Sequence, residues 1–209
     1  MSATRSRLLV ALLLLGTLLL LLPAAGPAAL AGGKGEIGDP AATPSWVAMP
    51  AGPAAGNDAA SDVLLLPGDV MLVCGSLSNA SGNTDISLVK YKAGVLQWTQ
   101  TWGGAGGADD AARKMALSPD GKYVYICGTA AKSAGNLDIY VLKRKVSNGN
   151  LAWAKRYDGS AHLADVAVAI GVDSSGNVIV AGGSVKAAGD SEYVVASWKA
   201  SGKSRWTWS

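Results

Sequence analysis

Residues 110–129 read Asp110-Ala-Ala-Arg-Lys-Met-Ala-Leu-Ser-Pro-Asp-Gly-Lys-Tyr-Val-Tyr-Ile-Cys-Gly-Thr129. An acid heads the stretch, two apolar runs follow, and the Ser-Pro-Asp-Gly turn between them has the residues that close tight turns. The same phrase returns as Asp165-Val-Ala-Val-Ala-Ile-Gly-Val-Asp-Ser-Ser-Gly176 followed by Val178-Ile-Val-Ala-Gly-Gly-Ser184. It also occurs earlier, from Asp58 through a shorter Pro67-Gly68 turn to Val70-Met-Leu-Val-Cys-Gly-Ser76. Each copy continues into a third run (Asp85–Lys90, Asp138–Lys143, Glu192–Ala196) and a fourth that ends in tryptophan at Trp98, Trp153 and Trp206. With a weaker instance at Trp46, the tryptophans are spaced by 52, 55 and 53 residues. Self-similarity near 50 residues is the signature of propellers and repeat arrays. Four short runs per repeat, divided by Gly, Asn, Asp, Ser and Pro, predict one four-stranded antiparallel sheet per copy.

Strand patterning predicts how these sheets pack. Tyr123–Cys127 and Val178–Ala181 are continuous apolar runs, as expected of inner strands covered on both faces. The last strand alternates: Leu96, Trp98 and Trp102 fall on one face, as do Leu151, Trp153 and Tyr157, and likewise Trp206 and Trp208. Lys90, Lys92, Lys143 and Lys145 end the third strands, where charge is expected to keep an exposed edge from pairing. Trp98, Trp153, Trp206, Gly75, Gly128 and Gly182 recur at fixed places and are read as structural positions.

The cadence of these residues resembles the secreted bacterial beta-propeller repeats: an acid, Asp-x-x-Gly-Asn-Val-x-Val-x-Gly, Asp-x-x-Val-x-Lys, then Gly-x-x-x-Trp. Tyr140-Val-Leu-Lys-Arg-Lys-Val-Ser-Asn-Gly-Asn-Leu-Ala-Trp153 is also similar to one blade of the quinoprotein-like propellers, although no vicinal cysteine pair occurs. The resemblance spans about residues 46–208 and implies an all-β propeller of four-stranded blades. It says little of activity, because one architecture hosts many unrelated functions.

At the front of the chain, Arg5 and Arg7 precede the uncharged stretch Leu8–Leu22, then Pro23, Pro27 and the small-residue exit Ala29-Leu30-Ala31. This is the layout of a secretory signal peptide over residues 1–31, with cleavage after Ala31. A retained membrane anchor is the competing reading, since no charge lies between Arg7 and Lys34. Residues 32–45 are rich in Gly, Pro and Ala and read as a flexible lead-in to repeats over 46–98, 99–153 and 154–209. Removing the leader takes two arginines from 18 basic residues against 15 acidic ones. The near-neutral remainder has no electrostatic footprint for nucleic acid, and a membrane is expected as partner only if the leader stays.

Cys74 and Cys127 occupy the same place in adjacent repeats, so their side chains point in parallel across sheets stacked about 10 Å apart. That is too far for a disulfide, and both are expected as free, buried thiols. Asp58, Asp110 and Asp165 recur at the head of the first strand, which lines a propeller's channel. A carboxylate ring there is a candidate calcium site. The plainer expectation is that each accepts hydrogen bonds from amides of its own turn, and the same is expected of Asp85, Asp138 and Glu192. No residue is assigned a catalytic role. His162 lies in the polar connection Asp158–Ala164 and reads as a surface histidine. Trp102, Trp198 and Trp208 stand outside the tryptophan repeat and are the candidates for stacking on a glycan or protein ligand. Asn79-Ala-Ser81 fits a glycosylation acceptor in a eukaryotic secretory route.

Propellers close with 4 to 8 blades, whereas about three are legible here, with an outer strand left over around Trp46. The expectation is a partial ring with two bare sheet faces, either a piece of a larger propeller or a ring completed by a homo-oligomer. It would be secreted, periplasmic or at the cell surface, and serve as a non-catalytic binding or scaffolding surface. The alternatives are a quinoprotein-like or polysaccharide-acting propeller enzyme and a structural cell-surface array.

Overall fold

The computed structural model describes residues 52, 56–133, 136–187 and 189–209. The leader, the lead-in and the strand expected around Trp46 lie outside the described residues. The chain divides into two units, 1–47 and 48–209, and the description concerns the second.

Every described element is a strand. The first sheet contains β1 (Ala59–Leu66), β2 (Val70–Ser78), β3 (Thr84–Lys92) and β4 (Val95–Trp102). The second contains β5 (Ala111–Leu117), β6 (Tyr123–Ser133), β7 (Asn136–Lys145) and β8 (Leu151–Tyr157). The third contains β9 (Asp165–Val172), β10 (Val178–Ala187), β11 (Asp190–Trp198) and β12 (Ser204–Trp208). Each sheet is an antiparallel meander in sequence order. The fold is therefore all-β, built of three blade-like sheets. Boundaries drawn at the tryptophans cut through the fourth strands, because β4 runs on to Trp102 and β8 to Tyr157.

Two apolar layers join the sheets. Leu72, Cys74, Ile86 and Leu88 of the first meet Ala112, Val124, Ile126 and Leu142 of the second. Tyr125, Cys127, Ile139 and Val141 of the second meet Val178, Val180, Val194 and Ala196 of the third. In the middle sheet β6 and β7 are covered on both sides, which matches the unbroken apolar run of Tyr123–Cys127, whereas β10 is buried on one face and partly buried on the other.

Two bulges recur in all three sheets, each a single residue without a ladder partner. Ser61, Arg113 and Val168 are the extra residues of the first strands. Gln97, Ala152 and Arg205 are those of the fourth strands, immediately before the tryptophan. An extra residue reverses which face the next side chain takes. Leu96 therefore opposes Tyr91 while Trp98 opposes Lys90, which puts the two on opposite faces. This corrects the expected alternation: Leu96 and Leu151 are exposed, and in β4 the partly buried residues are Trp98, Gln100 and Trp102, alternating from the tryptophan onward.

The tryptophans grip the following sheet. A Cβ on Gly149 would come within 2.9 Å of the Trp98 ring, and one on Gly202 within 3.2 Å of Trp153. Both glycines also have positive φ, 74° and 85°, so the turn that receives the indole needs Gly twice over. Beside each indole a lysine crosses the same interface: Lys90 Nζ donates to Val146 O at 3.0 Å and Lys143 Nζ to Ala200 O at 2.8 Å. The expected edge-guarding role is thus corrected for these two lysines, which tie one sheet to the next. Lys92 and Lys145 remain exposed at the strand ends.

Candidate functional site

The three repeated aspartates share one local geometry. The amide of the glycine six residues earlier donates to each: Gly52 N to Asp58 Oδ2 at 3.0 Å, Gly104 N to Asp110 Oδ2 at 2.5 Å and Gly159 N to Asp165 Oδ2 at 2.7 Å. A second amide reaches Oδ1 in two of them, Ser78 N on Asp58 at 2.7 Å and Ala131 N on Asp110 at 2.9 Å. A Cβ at Gly52 or Gly104 would lie 2.1 or 2.2 Å from a backbone oxygen of the second strand, so the pairing requires Gly and Asp at this spacing. The Gly-x5-Asp spacing recurs at the head of all three repeats and, taken together with the repeat position, is the signal that points to these partners.

Their environments differ. Asp58 is exposed, and the amides of Ser78 and Gly52 hold its carboxyl below the usual range. Asp110 is buried, and burial pushes its carboxyl up against the pull of the Gly104 and Ala131 amides. The three do not gather into one cluster: among the described residues only Asp138, Asp158 and Asp165 approach closely enough to share an ion.

Where the first strands converge, a groove of about 670 Å³ is lined by Ser61, Arg113, Lys114 and Val168 together with alanines and Val166. The bulged residues of all three sheets thus face one space, and they are Ser, Arg and Val. Lys114 Nζ lies 3.5 Å from Asp62 Oδ1, while Arg113 is exposed. Small and basic side chains line this groove, and the repeated carboxylates turn back to their own loops.

Of the tryptophans singled out for stacking, Trp102 packs against the first core layer with its ring 4.9 Å from that of Tyr140. Trp198 is buried in the second layer. Trp208 is 71% exposed and lies on the same face of the third sheet as Trp206 (36%) and Tyr193 (78%). Trp102 is also the repeat counterpart of Tyr157, so it belongs to the packing pattern of the fourth strands rather than standing outside it. His162 is exposed, with Nδ1 3.0 Å from Asp158 Oδ2. Asn79 is engaged in its own turn, donating to Asp85 Oδ1 at 2.7 Å and accepting from Ser81 N at 2.9 Å.

Cys74 and Cys127 are free and buried. Burial pushes their thiols up to about 12 and about 11 respectively. A rise of this size lowers the thiolate fraction near neutrality by about a hundredfold or more, and the thiolate is the reactive form. Ellman's reagent is accordingly expected to titrate almost no thiol in the native protein and both cysteines in denaturant. Rapid reaction of either cysteine without denaturant would contradict the buried placement. Because the folded state holds these protons more tightly, their contribution to stability is complete below about pH 9. It is lost as pH rises toward 12.

In comparisons with known proteins, no family model and no curated protein matches the chain.

Proposed function

We propose that this chain is an exported β-propeller repeat protein of the kind it resembles, acting as a non-catalytic binding or scaffolding surface. The observation that carries this reading is the outward face of the third sheet. In the first and second sheets the corresponding face grips its neighbour through a tryptophan, a glycine turn and apolar side chains from the inner strands. In the third sheet the equivalent residues Ile179, Ala181, Tyr193, Val195 and Trp206 form the same face, and Tyr193 is 78% exposed. The first sheet's far face is bare only in part: Val63 and Leu65 are exposed, whereas Val89 and Tyr91 are buried. An exposed apolar face rimmed by polar residues marks an interaction site. Its geometry fits another β-sheet that presents a positive-φ glycine turn to Trp206, as Gly149 and Gly202 do to Trp98 and Trp153.

The full-length protein is expected to bind a hydrophobic dye and to associate through this face in light scattering behind a sizing column. Tyr193→Lys combined with Trp208→Lys should cut dye binding severalfold while changing folding stability by about 0.5 kcal/mol or less, as at other exposed sites. A monomer that binds no dye would refute the proposal.

A further inference from the structure

At the junction of the second and third sheets three carboxylates meet. Asp138 lies on β7, Asp158 follows β8 directly, and Asp165 opens β9. One oxygen of each lies within 4.8 Å of those of the other two, and Asp138 and Asp165 are both 0% exposed. Every Oδ2 is occupied. Arg156 donates to that of Asp138 at 2.6 Å and that of Asp158 at 2.7 Å, Gly159 N donates to that of Asp165 at 2.7 Å, and His162 Nδ1 lies 3.0 Å from that of Asp158. Every Oδ1 is buried and has no hydrogen-bond partner. Asn136, two residues before Asp138 on β7, leaves its own buried Oδ1 without a partner as well.

Buried polar atoms are almost always paired, and each exception calls for an explanation. Here the orphans come as a set of oxygens, all of acceptor type, so they cannot satisfy one another. The set of side chains is equally one-sided: three carboxyl groups share one guanidinium, with the exposed His162 imidazole at the edge. Calcium is bound by oxygens at about 2.3–2.6 Å, so oxygens up to 4.8 Å apart can reach a single ion.

The matching junction between the first and second sheets lacks this arrangement. Asp85 and Asp110 stand where Asp138 and Asp165 do, but Gly103 takes the place of Asp158 and Thr101 that of Arg156. There Asn79 Nδ2 donates to Asp85 Oδ1 at 2.7 Å and Ala131 N to Asp110 Oδ1 at 2.9 Å, so both oxygens are satisfied. In the third sheet the counterpart of Ala131 N is Val185 N, which instead donates to Ala164 O at 3.1 Å and leaves Asp165 Oδ1 free. The repeat is thus altered at one junction: Asp158 adds a carboxylate and the redirected Val185 amide frees Asp165 Oδ1, while Arg156 adds a single cation that pairs Asp138 and Asp158.

We propose that Asp138, Asp158 and Asp165 bind a divalent cation of the calcium class through one carboxylate oxygen each, tying the second sheet to the third. The set is all oxygen, which suits a hard cation, and the ion offsets the excess of carboxyl groups over the single guanidinium. Water is the natural source of the remaining ligands.

The test is thermal unfolding and calorimetric titration of the full-length, chelator-treated protein with calcium chloride, alongside Asp158→Asn and Asp85→Asn. The expected result is one saturable site per chain, a calcium-dependent rise in Tm, at least tenfold weaker binding in Asp158→Asn, and an unchanged response in Asp85→Asn. No calcium-dependent shift in the wild type, or an equal shift in Asp158→Asn, would overturn the assignment. If Asp158→Asn does not fold, terbium on the wild-type chain decides. Emission sensitised by tyrosine and displaced by calcium at a stoichiometry of one supports the site, and no such emission refutes it.

Discussion

Tyr125→Ala is expected to lower the unfolding free energy by about 3–5 kcal/mol, the range for truncating a large buried aromatic side chain. For a chain of this length that corresponds to a fall in Tm of about 10 °C. Tyr125 is 0% exposed and stands on β6, facing the third sheet. Its ring centroid lies 5.7 Å from that of Trp153 at an interplanar angle of 53°, a tilted arrangement that adds to the area it buries. The hydroxyl crosses to the third sheet and donates to Gly176 O at 3.0 Å, and Lys143 Nζ lies 5.3 Å above the ring. Truncation would remove the ring from the second core layer and leave the Gly176 carbonyl without this donor. Tyr125→Phe separates the two effects: it keeps the ring and loses only the hydrogen bond, for about 1 kcal/mol. Urea unfolding of the three proteins reads the difference. An alanine variant within 1 kcal/mol of wild type would mean that the second and third sheets are not held by this layer.

The strand plan was legible because an inner strand leaves a mark in composition, even in β10, whose second face is only partly buried. Tyr123–Cys127 and Val178–Ala181 were predicted as inner strands from their unbroken apolar runs, and they lie within β6 and β10. The bulges were not legible. Gln97, Ala152 and Arg205 have no residue type in common, so nothing in the sequence marks the point where the period of two slips, and Leu96 and Leu151 were assigned to the wrong face. Lys90 and Lys143 misled for a different reason. Their charge suggests solvent, but their acceptors are carbonyls 56 and 57 residues away, and only the stacking of sheets brings those within reach. At the Asp138, Asp158 and Asp165 cluster the sequence supplied Asp138 and Asp165 as separate repeat positions. Asp158 departs from the repeat five residues after Trp153, where Gly103 follows Trp98, but nothing in the sequence places it beside Asp138 and Asp165; the fold does.

The second large effect is expected at Gly182, and it tests the close approach that the first-strand bulge produces. In each sheet the glycine of the second strand lies opposite the residue before the bulge: Gly75 pairs Ala60, Gly128 pairs Ala112 and Gly182 pairs Ala167. A Cβ at Gly182 would lie 2.0 Å from Val166 O, 3.0 Å from the carbonyl carbon and 3.2 Å from Ala167 Cα. The same atom would lie 1.8 Å from Ala59 O at Gly75 and 2.4 Å from Ala111 O at Gly128. The obstructing atoms are backbone, so no rotamer change relieves the clash, and the strand itself must move. Gly182→Ala is therefore expected to cost about 3 kcal/mol, at the upper end of overpacking penalties. Gly183, the next residue, is the control. A Cβ there meets only Glu192 O at 3.8 Å, so Gly183→Ala should change stability by about 0.5 kcal/mol or less. Alanine restricts the unfolded chain equally at both positions, so the difference between the two variants isolates the contact in the folded sheet. Equal urea midpoints for the two would show that the first strand can retreat from the second without loss. The glycine repeat would then have no steric basis.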